Sequence, residues 1–356
     1  EDLGKAFYEM LTGQSGAKLI DFTDFSKNCF HVVTELTYKN GDEEFRPDIT
    51  LLINGMPLIF IEVKKPNNKD GVQAEHNRIG QRFANPKFRR FVNITQLMVF
   101  SNNMEYDNDT SLPLEGAFYA SASYQKPVFN YFREEQKLDL SVLLKPESDD
   151  LENVVLKDNN LNVIKHSPEF LTNKNPDSPT NRICTSLFSK ERLFFLLQYA
   201  IAYVHESHGL EKHVMRYPQI FATKAIEKVL SEGVRKGIVW HTQGSGKTAL
   251  AYYNVRHLTD YFRARSVVPK FYFIVDRIDL LTQAHREFKS RGLIVHTVDS
   301  REEFARDIKS TGVIHNHSGK PEITVVNIQK FKDDQDVISA ADYDVNHRTR
   351  RSWIKR

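Results

Sequence analysis

The stretch that decides the first fold of this chain is RPDITLLINGMPLIFIEVK, residues 46–64. Two parts of it, 49–53 and 58–63, have the composition of β-strands. Asn54-Gly55 stands between them and is typical of a tight turn joining antiparallel strands. The pattern predicts a β-hairpin, and the continuous apolar run 58–61 indicates that its second strand is buried.

Charged residues lie at the open end of this predicted hairpin. Asp48 begins the first strand and Glu62 ends the second, so the two carboxylates can converge at one edge of the sheet. Glu62 and Lys64 are two residues apart on one strand and therefore face the same side. Pro47-Asp48 followed by Glu62-Val63-Lys64 matches the PD-(D/E)xK nuclease signature.

These residue types suit metal-dependent hydrolysis of a phosphodiester. Asp48, Glu62 and the carbonyl of Val63 are candidate oxygen ligands for Mg²⁺. The ion would polarise the scissile phosphate and activate a water molecule. Lys64 would position that water or stabilise the developing negative charge. Burying such charges without a metal or a partner would be costly, which favours a nuclease over an ordinary Glu–Lys pair on an exposed strand.

The residues around the hairpin predict an α/β core of modest size. Its other elements are a helix within 1–27, a strand at Cys29–Lys39, a helix at Val72–Phe83, a strand at Ile94–Ser101 and a strand pair within 104–125. On the second helix, Arg78 and Arg82 are four residues apart and share a face. That geometry suits contact with the phosphates of one DNA strand.

A second site is predicted at Thr242-Gln243-Gly244-Ser245-Gly246-Lys247-Thr248. A predicted strand, Ile238–Trp240, precedes it and a predicted helix, Thr248–Tyr261, follows it, which is the context of a phosphate-binding loop. Backbone N–H groups in such a loop hold phosphates at the N-terminus of the helix. Lys247 would reach the β- and γ-phosphates of ATP, and the Thr248 hydroxyl would bind Mg²⁺.

The residues on either side of this loop fit an ATP-driven motor. Arg216-Tyr217-Pro218-Gln219 resembles the glutamine motif of superfamily 2 helicases, in which the amide reads the edge of adenine. Arg216 and Gln219 are therefore candidate ATP contacts. Downstream, predicted helices alternate with predicted strands at Lys270–Val275, Leu293–Val298 and Ile323–Asn327. The alternation predicts a parallel sheet with right-handed crossovers.

One expected feature of such a motor is missing from the sequence. No Asp-Glu pair able to hold Mg²⁺ and activate water follows Phe331, and 342–346 runs directly into His347-Arg348. The chain as given also lacks a second motor lobe. We therefore expect this fragment alone to hydrolyse ATP poorly.

Length and composition favour a globular protein of two or more domains. A length of 356 residues favours two or more domains, and 40% apolar with 27% charged residues is ordinary for a globular protein. No apolar run is long enough to span a membrane. Cys29 and Cys184 have no metal-ligand spacing and fit a cytoplasmic protein. A net charge of +3 does not by itself indicate nucleic-acid binding.

The two signatures in this order resemble the restriction (motor) subunit of type I restriction–modification enzymes, and the chain resembles its N-terminal part. The resemblance implies a PD-(D/E)xK endonuclease domain at 1–145, a connection with a helical segment at 146–210, and a truncated RecA-like motor domain at 211–356. Within the connection, apolar residues at helical spacing predict a helix at Leu187–Val204, and Leu187–Leu197 resembles the family's helical segment. The resemblance also implies ATP-driven translocation of duplex DNA, cleavage of unmodified DNA, and a complex with methyltransferase and specificity subunits. The recognition sequence and the partner-binding surface cannot be read from these residues.

Two other interpretations stay open at this point. A single-chain helicase–nuclease of restriction or DNA repair would use the same chemistry without separate methylating partners. A DNA-binding scaffold could keep the nuclease fold without its activity, although retention of Asp48, Glu62 and Lys64 speaks against that. A metabolic kinase with a phosphate-binding loop would leave the first 150 residues without a purpose.

Overall fold

The computed structural model describes residues 2–328 except 15, 17, 66–70, 107–115, 125–126, 137–138, 140–143, 145, 299 and 311–319, and only the backbone of 71–73. The chain divides into two compact units. The first consists of Glu1–Ala202 and Leu210–Tyr217, and the second of Tyr203–Gly209 and the residues from Pro218 onward. Within the described ranges, no helix is long and apolar enough to cross a membrane.

A mixed sheet forms the centre of the first unit. Its strands are β1 (Phe30–Thr34), β4 (Ile49–Ile53), β5 (Met56–Val63), β6 (Leu97–Ser101), β7 (Ala117–Ser121) and β8 (Asn130–Tyr131), in the spatial order β1-β4-β5-β6-β7-β8. Only the β5–β6 pair is parallel, and the other neighbours are antiparallel. Two short strands, β2 (Tyr38–Asn40) and β3 (Glu43–Phe45), form a separate ribbon.

The described part of the first unit also contains seven α-helices. The helices are α1 (Leu3–Leu11), α2 (Gly71–Ala84), α3 (Arg89–Ile94), α4 (Asp149–Asp158), α5 (Pro168–Asn173), α6 (Pro179–Phe188) and α7 (Lys190–Tyr199). Strands β9 (Ile201–Glu206) and β10 (Gly209–Val214) form a two-stranded sheet. Because β5 and β6 run parallel, the chain must cross back between them, and α2 lies in that crossover.

The predicted hairpin is confirmed as β4 and β5. Asn54 has φ of 52° and Gly55 has φ of 78°, so both turn residues adopt the left-handed conformation of a type I′ turn. The Asn54 side chain fixes the turn further, since its Oδ1 accepts from the backbone N–H of Cys29 and its Nδ2 donates to the carbonyl of Leu19, each at 2.9 Å. The register pairs Ile49 with Ile61.

The second unit contains a three-stranded sheet and four helices among its described residues. The strands are β11 (Tyr272–Val275), β12 (Ile294–Thr297) and β13 (Glu322–Asn327), and the helices are α8 (Tyr217–Ser231), α9 (Lys247–Arg263), α10 (Ile278–Ser290) and α11 (Arg301–Lys309). The spatial order is β11-β13-β12, and both pairs are parallel. The predicted parallel sheet is thus confirmed.

Several predicted elements were wrong in extent or type. Ile238–Trp240 is not a strand; it lies outside the described sheet, and Ile238 and Trp240 are exposed. Apolar residues form a strand only where a neighbouring backbone pairs with theirs. The predicted helix at Leu187–Val204 is instead the end of α6, then α7, then β9, because Ser189 takes extended backbone angles between the two helices.

Other boundaries also differ from the prediction. The helix predicted within 1–27 is confirmed as α1, but Glu35 interrupts the stretch predicted as one strand, since its φ is 53°. The connection after 145 contains α4 and α5, which polar composition alone did not indicate. The strand predicted from Ile94 begins at Leu97, because the residues before it form α3. In the predicted pair within 104–125, β7 is present and residues 107–115 lie outside the described ranges.

A buried lysine supports the first unit. The Nζ of Lys212, on β10, donates to the carbonyls of Val92 and Thr95 at 2.9 and 2.8 Å. These carbonyls lie at the C-terminal end of α3, where backbone acceptors lack helical partners. Lys212 is 1% exposed, and burial lowers the pKa of its amine to about 7. The side chain therefore joins β10 to α3, and its ammonium loses its proton at a lower pH than an exposed lysine does.

We expect Lys212 to make stability depend on pH. Its folded pKa is below its unfolded value of 10.5, so between about pH 7 and about pH 10 the unfolded chain binds the extra proton. Stability should therefore rise with pH across this window, by up to about 1.4 kcal/mol per pH unit. The measurement is the urea midpoint of the wild type and of Lys212→Met at several pH values. The variant should lack this contribution, and identical slopes would contradict the assignment.

Candidate functional site

The hairpin brings Asp48 and Glu62 to neighbouring positions. Continuing the antiparallel register beyond Ile49 and Ile61 places Asp48 across from Glu62. Asp48 is oriented toward β5 by its own side chain, because its Oδ2 accepts a hydrogen bond from the backbone N–H of Val63 at 2.8 Å. The carboxylate that precedes β4 is thus held at the end of β5.

Lys64 lies between the two carboxylates. Its Nζ is 3.5 Å from Oε2 of Glu62 and 4.0 Å from Oδ2 of Asp48. Its backbone N–H donates to the carbonyl of Ser101 at 2.8 Å, which extends the parallel pairing of β5 with β6 by one residue. The structure therefore brings the three charged residues of the signature to one place at the edge of the sheet.

A third carboxylate, Glu75 on α2, reaches the same lysine. Its Oε2 is 3.6 Å from Nζ of Lys64, and its side chain is 4% exposed. The sequence analysis missed this residue, although a signal was present. Glu75 precedes the buried residues Ile79 and Phe83 by four and eight positions, so it occupies the inward face of the helix. A lone acid on an apolar helical face indicates a buried partner.

The two arginines predicted to contact DNA both lie near Glu75. Nε of Arg78 donates to Oε1 of Glu75 at 3.0 Å, and Nη1 of Arg82 is 3.6 Å from the same oxygen. The guanidinium of Arg82 also lies 4.3 Å from the centre of the Phe45 ring, and this side chain is 21% exposed. Arg78 is 53% exposed and keeps access to solvent. Arg82 is thus committed to contacts inside the protein.

Glu62 is the residue of this site whose pKa is shifted most clearly by its surroundings. That residue is 2% exposed, and burial raises the pKa of its carboxyl to about 7. The negative charges of Asp48 and Glu75 raise it further, and the positive charges of Lys64 and Arg82 act in the opposite direction. Oε1 of Glu62 is buried without a hydrogen-bond partner among the described residues. Such an acceptor is free to bind a cation or a water molecule.

The candidate oxygen donors for a divalent ion are two carboxylates and one backbone carbonyl. In the described ranges, no group of three or more His, Cys, Asp or Glu side chains is arranged to hold a metal ion. Mg²⁺ commonly takes only one or two carboxylates and completes its shell with water and substrate oxygens. Asp48, Glu62 with its unpartnered Oε1, and the carbonyl of Val63 fit that smaller requirement.

Two glycines of the loop at 242–248 take a conformation that other residues rarely adopt. Gly244 has φ of 75° and Gly246 has φ of 82°, a left-handed conformation that favours glycine. Gly246 is the N-cap of α9, so Lys247 begins the helix and Thr248 follows in its first turn. Ser245 folds the loop back on itself, since its Oγ donates to the carbonyl of Thr242 at 2.7 Å. Gln243 is exposed.

Two side chains of the predicted ATP site contact the loop itself. Nζ of Lys247 donates to the carbonyl of Thr242 at 2.9 Å, and Nε2 of Gln219 donates to the carbonyl of Gly246 at 3.0 Å. Gln219 is buried on α8 and thus supports the loop, a role that the sequence analysis did not predict for it. Arg216 is half-buried just before α8.

Comparison with known proteins gives one family match in each unit. Residues 1–107 match the family model for the type I restriction enzyme R protein N terminus, and residues 218–354 match that for the SWI2/SNF2 ATPase. The chain is a relative of type I restriction endonuclease subunits. Asp48, Glu62, Lys64 and Glu75 all fall within the first match, and the loop at 242–248 falls within the second.

Individual relatives cover most of the chain. The MjaVIIP and MjaIXP type I restriction enzyme endonuclease subunits of Methanocaldococcus jannaschii are each 27% identical, over 88% and 86% of this chain and 26% and 28% of their own length. The SauCOLORF180P endonuclease subunit of Staphylococcus aureus is 23% identical over 76% of the chain and 23% of its length. The chain thus spans about a quarter of the length of these relatives.

We expect Asp48→Asn to lower the pKa of Glu62. The asparagine can still accept from Val63 but carries no charge, and removal of a nearby negative charge favours the ionised form of Glu62. Burial remains the largest cause of the shift, so the pKa should stay above 4.5. The measurement is the carbon NMR titration of the Glu62 carboxyl in metal-free protein, with Asp42→Asn on the β2–β3 turn as control. An unchanged midpoint in Asp48→Asn would refute the electrostatic coupling.

Proposed function

We propose that the chain is part of an ATP-dependent endonuclease and duplex-DNA translocase, the restriction subunit of a type I restriction complex. It cleaves unmodified double-stranded DNA by metal-dependent hydrolysis of a phosphodiester. The observation that carries the proposal is the position of Nζ of Lys64, within 4.0 Å of both Asp48 and Glu62 at the end of a buried hairpin. The match of residues 1–107 to the R protein N terminus supports it.

The nuclease chemistry is assigned to a PD-(D/E)xK domain at about residues 1–145. Asp48, Glu62 and the carbonyl of Val63 would hold Mg²⁺, which when bound offsets the charge of the scissile phosphate and lowers the pKa of its water. Lys64 places a positive charge beside the two carboxylates, where it can orient a water molecule and stabilise negative charge on the phosphate oxygens. Asp48 is kept in place by the Val63 N–H.

Arg78 is the better candidate of the two arginines for DNA contact. It lies four residues before Arg82 on α2 and is more exposed than that residue, so its guanidinium can approach a phosphate from solvent. Arg82 contributes indirectly, because its stacking on Phe45 leaves it beside Glu75. The DNA substrate is therefore expected to approach the open end of the hairpin from the α2 side.

ATP binding is assigned to a RecA-like motor domain at about residues 211–356. The backbone of the loop from Thr242 to Gly246 would hold the phosphates at the N-terminus of α9. Lys247 would exchange its contact with the Thr242 carbonyl for the β- and γ-phosphates, and Thr248 would bind the Mg²⁺ of the nucleotide. Gln219 would steady the loop and contact adenine, with Arg216 nearby in sequence.

The expected partners are duplex DNA and the methyltransferase and specificity subunits of the same system. Residues 146–210 would serve as the connection between nuclease and motor. We place the complex in the cytoplasm, where ATP is available and where Cys29 and Cys184 remain free thiols. The relatives named as type I restriction endonuclease subunits support this assignment.

The test of the nuclease assignment is separation of cleavage from ATP use. In the full-length protein assembled with its partners, Asp48→Ala or Lys64→Ala should abolish cleavage of unmodified DNA and leave DNA-stimulated ATP hydrolysis within about twofold of the wild type, because neither residue belongs to the ATP site. Asp42→Ala, an exposed acid on the β2–β3 turn, serves as control. If ATP hydrolysis were lost together with cleavage, or if cleavage persisted, the assignment would be wrong.

The ATP site has its own test. Lys247→Ala should abolish binding of a fluorescent ATP analogue, since the ammonium that contacts the phosphates is removed. Affinity for duplex DNA, measured by fluorescence anisotropy, should be largely retained. Lys228→Ala, which removes an exposed lysine from α8, should bind both ligands like the wild type. Normal nucleotide binding by Lys247→Ala would exclude the proposed loop as the phosphate site.

A further inference from the structure

We infer that Glu75 is a positioning residue for Lys64, and that it holds the lysine ammonium beside Asp48 and Glu62. This inference deepens the proposed nuclease function and rests on it for its effect on cleavage. Glu75 comes from α2, whereas the other two carboxylates belong to the β4–β5 hairpin. It therefore ties the side-chain ammonium of Lys64 to a helix outside the hairpin.

Three carboxylates surround the lysine at similar distances. Nζ of Lys64 is 3.5 Å from Glu62, 3.6 Å from Glu75 and 4.0 Å from Asp48. The side chain of Lys64 is 21% exposed. A lysine ammonium sits on a flexible four-carbon stem and is strongly hydrated, so a single neighbour would not fix it. Contacts from three directions restrict its position before any substrate binds.

The place of Glu75 is itself determined by two arginines. A carboxylate that is 4% exposed is costly unless positive charges and hydrogen bonds compensate it. Arg78 binds it through Nε at 3.0 Å and also through Nη2, and Arg82 approaches Oε1 at 3.6 Å. Arg82 is held in turn by the ring of Phe45. Successive contacts thus connect Phe45 to Arg82, Arg82 to Glu75, and Glu75 to Lys64.

The same contacts make a direct role in metal binding less fitting for Glu75. Both of its oxygens already face cationic nitrogens, Oε1 those of Arg78 and Arg82 and Oε2 those of Lys64 and Arg78. Glu62, in contrast, has a buried oxygen without a partner among the described residues. Positioning is the role that fits Glu75, because a pre-ordered ammonium lowers the entropic cost of reaching the reactive geometry.

The experiment measures the reactivity of Lys64 in the metal-free full chain. Lysines are reductively methylated under limiting conditions, and the rate at each lysine is followed by mass spectrometry. In Glu75→Gln the rate at Lys64 should rise about two- to fivefold, the range for loss of a partly exposed ion pair. The rates at Lys5 and Lys27, which lie away from the site and pair with Glu9 and Asp24, should not change.

A matched control removes a different ion-paired carboxylate of the same unit. Glu152 is 11% exposed and contacts Lys165 and Lys174. Glu152→Gln should leave the rate at Lys64 unchanged. An unchanged rate at Lys64 in folded Glu75→Gln would overturn the inference, and so would a uniform rise at every lysine, because that would indicate general loosening of the fold. If Glu75→Gln does not fold, the methylation rates are measured in Glu75→Asp instead. A rise at Lys64 alone would support the inference, and an unchanged rate or a uniform rise would overturn it.

Cleavage by the assembled complex provides the second readout. Glu75→Gln should lower kcat by about ten- to a hundredfold with little change in KM for DNA, because it displaces the Lys64 ammonium while its amide oxygen can still accept from Arg78. Glu75→Asp should restore part of the loss, and an unaffected kcat would contradict the inference. If the wild-type assembly does not cleave DNA at all, the proposed function fails, and the labelling of Lys64 still decides the positioning role.

Discussion

The candidate nuclease site depends on the antiparallel register of β4 and β5. The left-handed turn at Asn54-Gly55, whose side-chain amide is bonded to two neighbouring segments, sets the pairing next to the turn. A shift of one residue between Leu51 and Leu52 then brings Ile49 opposite Ile61. A slip of one residue would move Glu62 to the opposite face of the sheet and leave Asp48 without its bond to the Val63 N–H. The parallel pairing of β5 with β6 then continues past Glu62 to Lys64, so the charged residues stay in the sheet rather than in a loop.

Charge balance explains how such a site can be buried. The cluster contains three carboxylates, Asp48, Glu62 and Glu75, and three cations, Lys64, Arg78 and Arg82. Each buried acid would be unfavourable alone, but every member has at least one oppositely charged neighbour. The balance is incomplete at Glu62, where burial and two negative neighbours raise the pKa to about 7. Glu62 titrates near pH 7 and has one oxygen without a partner among the described residues, so the site has capacity for a further cation.

The parts of the structure that local patterns determine could be predicted from the sequence. The Asn54-Gly55 turn and the parallel order of β11, β12 and β13 follow from turn chemistry and strand periodicity. The meeting of Asp48 and Glu62 was expected, but the register shift between Leu51 and Leu52 that places them across from each other was not. The failures involve interactions between distant segments. Ile238–Trp240 has strand composition but no described partner, and Glu75 acquires its role only because α2 packs its inward face against the hairpin. The contact of Phe45 with Arg82, which are far apart in sequence, could not be predicted either, and the DNA contact of Arg82 stays a prediction.

The most direct measurement is a crystal structure of the full-length protein soaked with Mn²⁺, a spectroscopically visible substitute for Mg²⁺, with anomalous diffraction recorded at the manganese edge. The account predicts an anomalous peak bound by the carboxylates of Asp48 and Glu62, with Lys64 adjacent and Glu75 outside the coordination shell. A map without a peak at this end of the hairpin under saturating Mn²⁺, or a peak coordinated by other residues of the first unit, would contradict it.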